Sequence, residues 1–130
     1  MPTRSYATQS TAATSLVTTA ETVVAVLKGV STRGGGEKVE LRSRIEATWG
    51  TGTTGAKIRI YRGVDATGTL VSTAPTLTVG AGNLSGLNPV AIDNPGEVAN
   101  QSYCITVAQV GASGNGTMTS AELACTVGES

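Results

Sequence analysis

Few residues in this sequence have the types and spacing to do chemistry, and most of what they say is exclusion. With no histidine in the chain, a Ser–His–acid relay has no base, and no Ser–Lys pair sits in a supporting motif. Gly50, Gly52 and Gly55 match GxGxxG literally, with Lys57 one place late for a P-loop lysine. Such a fingerprint must open a helix whose N-terminal amides meet the phosphates, and the residues that follow here alternate as a strand. The stretch is therefore a glycine-rich loop. Asp65 and Asp93 are the carboxylates on which glycosidic chemistry would have to rest, because both fall in turn-rich segments. Four aromatics (Tyr6, Trp49, Tyr61 and Tyr103) make a poor sugar cleft, and acidic turn residues ordinarily serve backbone amides. Cys104 and Cys125 without a histidine fall short of a zinc ligand set. They are expected on neighbouring antiparallel strands as two buried thiols in preference to a disulfide. Asn83, Asn100 and Asn115 each begin a glycosylation sequon and are read as polar turns. The pattern points away from an enzyme and calls for no catalytic residue, cofactor or metal.

The elements that hold these residues are strands. KVELRSRIEATW alternates, with Val39, Leu41, Ile45, Ala47 and Trp49 on one face, a row broken only by Ser43, and Lys38, Glu40, Arg42, Arg44, Glu46 and Thr48 on the other. AKIRIYRG repeats the alternation with Ile58 and Ile60 inward and Lys57, Arg59 and Tyr61 outward. The two are expected to form a hairpin, which would bring Arg42, Arg44, Lys57 and Arg59 onto one basic sheet face. ETVVAVLKGV, residues 21–30, reads as the first core strand. SYCITVAQV and GTMTSAELACTV close the chain as two long strands, with Tyr103 as a corner residue bonding backbone. Residues 80–97 read as mostly loop, with a short strand at Val90 to Ile92. Short turn-bounded strands without an amphipathic helix predict an all-β antiparallel sandwich of jelly-roll type over residues 21–130. Residues 1–20, rich in Thr, Ser and Ala, read as an extended N-terminal arm.

Composition limits the partners. Thr, Gly, Ala and Ser make up 65 of 130 residues, so the core is thin for a lone monomer, and association would add burial. All nine Lys and Arg lie between Arg4 and Arg62. Residues 1–62 hold nine basic and four acidic side chains and residues 63–130 only five acidic ones, a split of +5 against −5 that suits contact with copies of itself or a partner surface. Zero net charge and few aromatics argue against a general nucleic-acid binder, although the basic half could still touch an acidic partner. The sequence offers neither an apolar run long enough for a membrane helix nor an N-terminal signal-peptide core, so synthesis in a cytoplasm is expected.

AKIRIYRGVDATGTLVS and ITVAQVGASGNGTMTSAELACTV resemble stretches of small β-sandwich virion proteins of tailed bacteriophages, most of all capsid decoration, or cement, proteins. The resemblance covers residues 37–127. It implies a non-enzymatic subunit on the capsid surface, bound at junctions of the major capsid protein and often trimeric; the alternative is a tail-associated virion protein, either a tube or completion subunit or a carbohydrate- or receptor-binding module. Arg42, Arg44, Lys57, Arg59 and Arg62 are the expected contact face for the major capsid protein or for other copies of the chain.

Overall fold

The computed structural model describes residues 4–10, 13–72 and 76–129. Two antiparallel sheets face each other. The first contains β1 (Arg4–Ser10), β2 (Thr14–Leu16), β4 (Glu37–Thr48), β8 (Leu84–Leu87), β9 (Val90–Asp93) and β11 (Gly116–Glu129). The second contains β3 (Thr22–Arg33), β5 (Gly55–Arg62), β6 (Thr69–Leu70), β7 (Leu77–Thr78) and β10 (Glu97–Val110). Strand orders are β1-β11-β4-β8, with β2 beside β11 and β9 beside β4, and β3-β10-β5-β6, with β7 beside β5. Taking β1 with β2, β6 with β7 and β8 with β9 as interrupted single strands gives the eight-strand jelly-roll order.

Alternation explains the layers. Val39, Leu41, Ile45 and Ala47 of β4 are buried and meet Ile58 and Ile60 of β5 and Tyr103, Ile105 and Val107 of β10 in one core. β11 adds Met118, Ala121, Leu123, Cys125 and Val127. Met118 and Ala121 cannot both face inward in an unbroken strand, and the register slip between Met118 and Ser120 provides the extra residue. Trp49 is only 2% exposed and belongs to this core.

Two expectations are corrected by the topology. β4 and β5 lie in different sheets, so residues 38–61 form no hairpin. β10 and β11 are likewise separated, and Cys104 and Cys125 are free and buried on strands that are not neighbours. The long strands switch sheets at each connection, and a partner strand from the other half of the sequence fills the place beside each. Of the stretch expected as an arm, the described residues form β1 and β2, which run one after the other along β11.

Candidate functional site

The five basic residues expected to share a face are dispersed. Arg42 and Arg44 point out from β4 on the first sheet, Lys57 and Arg59 point out from β5 on the second, and Arg62 is held by Asp93. The core separates the two pairs. On the first face Arg42 donates to Thr126 Oγ1 at 3.1 Å and Arg44 to Glu46 Oε1 at 2.5 Å. Glu122 stands opposite Arg44 and accepts from Gln9 at 3.1 Å. With Glu40 nearby, this face is mixed in sign. On the second face Arg59 lies 3.6 Å from Glu21.

The opposite charges of the two sequence halves are interleaved by the same topology. β11 runs between β1 and β4, and β10 runs between β3 and β5. Each C-terminal strand therefore has N-terminal strands on both sides, with Glu97 in register with Arg33 and Glu122 with Arg44. Complementarity that looked intermolecular along the sequence is used in part inside the fold.

The titratable groups form structural networks. Arg62 grips Asp93 with two bonds, Nε to Oδ2 at 2.8 Å and Nη2 to Oδ1 at 2.5 Å, and Tyr103 donates its hydroxyl to Oδ2 at 2.7 Å. Burial pushes the Asp93 carboxyl up, but these hydrogen bonds and the guanidinium charge outweigh it and hold the group below the usual carboxylate range. Asp93 is thus a buried ion-pair partner on a strand, not a turn residue, and Tyr103 bonds a carboxylate, not backbone. Asp65 does behave as a turn residue, accepting from the Thr67 amide at 2.9 Å. Glu37 accepts from Arg4 at 2.9 Å and from the Arg33 amide at 2.6 Å, and the Arg4 bond is the main reason its pKa is lowered. Glu21 accepts from Tyr61 at 2.8 Å and Thr106 at 2.6 Å, and its pKa is lowered although burial opposes this. Both thiols are pushed up to about 11 by burial and are not reactive thiolates at neutral pH.

The Gly50–Gly55 loop has no amides to offer a phosphate at three of its key positions. Gly50 donates to Gln109 Oε1 at 2.7 Å, Thr53 to the Gly50 carbonyl at 3.2 Å and Thr54 to the Val110 carbonyl at 2.9 Å. Gln109, 2% exposed, also donates to the Leu16, Thr18 and Gly114 carbonyls at 3.2, 2.8 and 3.2 Å, tying three loops together. A Cβ on Gly50 would overlap the Gly114 carbonyl and one on Gly116 would overlap Gln109 Oε1, so glycine is needed at both positions. Among the described residues no three metal-ligating side chains gather, and Trp49 and Tyr61 present no surface for a sugar, being 2% and 7% exposed.

What remains is an apolar edge. β8 and β9 run in succession along β4, with Leu84 opposite Thr48, Val90 opposite Arg42 and Ile92 opposite Glu40. Leu84, Val90 and Ile92 face outward, 66%, 68% and 61% exposed, and Val90 and Ile92 sit in a shallow depression of about 600 Å³ with Glu40 and Arg42. Sequence reasoning placed the short strand but missed this surface. A signal was present: Asp93 is the one charged residue between Asp65 and Glu97. A lone acid alternating with Val90 and Ile92 must find a cation inside or turn the aliphatics inside. Arg62 decided which.

No protein-family model and no curated protein matches the chain. Among solved structures it is similar in fold to the VP2 protein of infectious bursal disease virus. In derived T=1 particles the TM-score is 0.67 at 12% identity over 95% of this chain and 31% of VP2. In the VP2 subviral particle it is 0.67 at 13% over 95% and 32%, and in the Gx strain virus 0.63 at 12% over 96% and 32%. The chain thus spans about a third of the VP2 length. The structural likeness, at such low identity, bears on the fold alone, an antiparallel jelly-roll sandwich.

Proposed function

We propose that this chain is a non-enzymatic structural protein of a virus particle, and most specifically a decoration subunit that binds at junctions of the major capsid protein on a tailed-phage head. The observation that carries the reading is the exposed aliphatic edge of Leu84, Val90 and Ile92 on a jelly-roll sandwich. Full burial of one such side chain contributes roughly 1.5–3 kcal/mol, and repetition over many symmetric copies turns a weak contact into a stable one. The VP2 neighbours, described in viral and subviral particles, support a particle role. Arg42, which borders the apolar edge, becomes the leading charged contact for the capsid protein or another copy. Arg44 lies further along the same face, whereas Lys57, Arg59 and Arg62 are placed elsewhere. Residues 1–20 act as a tie in this scheme, because β1 sits at an edge of its sheet without a single fully buried side chain and can exchange onto a neighbouring subunit. The protein would be made in the host cytoplasm and reside on the capsid surface.

Quantitative mass spectrometry of particles purified from the source tests this. A fixed, large fraction of one copy per major capsid subunit is expected. A few copies per particle would place the protein in the tail, and absence from particles would overturn the reading.

A further inference from the structure

The phase of the ladder between β4 and β9 determines what the open edge presents. The Ser43 amide donates to the Pro89 carbonyl at 3.0 Å, which makes Ser43 and Pro89 a hydrogen-bonded position. Such positions alternate in an antiparallel pair, so the next one along the register is Leu41 with Ala91. The N–H and C=O groups of Val90 and Ile92 therefore point away from β4, toward the open side of the sheet. Their side chains stand on its outer face. An edge that, among the described residues, offers two donors and two acceptors without a strand partner and two exposed β-branched side chains is a template for another strand.

We infer that this strand is β9 of a second copy, paired antiparallel about a two-fold axis through Ala91, so that Val90 lies opposite Ile92 of the mate and the two sheets become one. The inference rests on reading the β9 edge as a contact surface. Its specific support is charge complementarity. Arg42 lies beside Val90 and Glu40 beside Ile92. With strands about 4.8 Å apart, each row across the pair reads Arg42, Val90, Ile92 and Glu40, the last two from the mate. In the pair, Arg42 would leave Thr126 Oγ1, which it meets on the β11 side of β4 in the single chain, and fold with Glu40 of the mate over the aliphatic pair. The arrangement is isologous, and four backbone hydrogen bonds close it. The paired segment is short, so the contact is weak in dilute solution and gains strength when a particle holds copies together.

Sedimentation equilibrium of the full chain over a concentration series tests the pairing. The wild-type mass is expected to rise from 13.0 kDa toward twice that value. Glu40→Arg alone and Arg42→Glu alone each juxtapose like charges and should remain monomeric at the same concentrations, while their equimolar mixture restores the doubled mass. Ile92→Pro removes an edge N–H that β4 does not use, and should abolish association with a melting temperature within a few degrees of wild type. A wild-type chain monomeric up to millimolar concentration, or a dimer indifferent to these changes, overturns the inference. If the chain is monomeric yet Glu40→Arg lowers its occupancy on particles, the strand that pairs belongs to another protein and only the second-copy assignment falls. If occupancy is also unchanged, the contact reading falls with it.

Discussion

Strand β4 turns Val39, Leu41, Ile45 and Ala47 inward and Glu40, Arg42 and Arg44 outward, whereas its neighbour β9 turns Asp93 inward and leaves Val90 and Ile92 outside. The two share a sheet and a register but not a logic. From Val39 to Ala47 the hydrophobic effect sorts β4: one face meets the core, the other meets water, and its exposed ion pair adds little. Its first residue, Glu37, is a buried charge satisfied by Arg4 and the Arg33 amide. β9 reverses the sorting, which is tolerable only because Arg62 and Tyr103 satisfy the buried carboxylate. Two strands side by side thus present a charged outer face and an aliphatic one.

Removing the inward charge of β9 should have the largest effect. Asp93→Ala strands the Arg62 guanidinium and the Tyr103 hydroxyl, and a loss of about 3–5 kcal/mol in chemical denaturation is expected. A loss below about 1 kcal/mol would mean that the inversion of β9 needs no compensation. Acid addresses the same pair by another route. Asp93, Glu37 and Glu21 have folded pKa values below their unfolded ones, so their stabilisation is complete above the unfolded carboxylate range, about pH 4, and is lost as pH falls through the folded values. Stability should be flat from pH 7 to about 5 and drop below about 4, and Asp93→Ala should drop less steeply.

On β4 the expected effects are those of ordinary packing. Ile45→Val removes one buried methylene from a side chain 0% exposed and should cost about 0.5–1.5 kcal/mol. Ile92→Thr on β9, at 61% exposure, should change monomer stability by no more than about 0.5 kcal/mol while weakening association. If Ile92→Thr destabilised the monomer as much as Ile45→Val, the outer face of β9 would be serving the fold and not a partner.

Much of this was legible in the residues. The alternation from Lys38 to Trp49 fixed which side chains of β4 share a face, and Val90 to Ile92 was visible as a strand. Period two does not say which sheet a strand joins. Residues 49–54 suit a reversal within one sheet as well as a crossing to the other, and the choice was made by pairing of β4 with β11 and β5 with β10, far apart in sequence. The predicted basic face failed for that reason, since Arg42 and Lys57 end on opposite sides of the core. Asp93 was misread because its partner Arg62 is 31 residues away, across the sandwich.

On the proposed reading the outer edge of β9 is a contact surface in a virus particle. Amide hydrogen exchange of residues 84–93, compared between the dilute isolated chain and purified particles, tests it most directly. The account predicts protection of Val90 and Ile92 by about tenfold or more in particles, with little change in the already buried amides of β10. Equal exchange of Val90 and Ile92 in both states would contradict it.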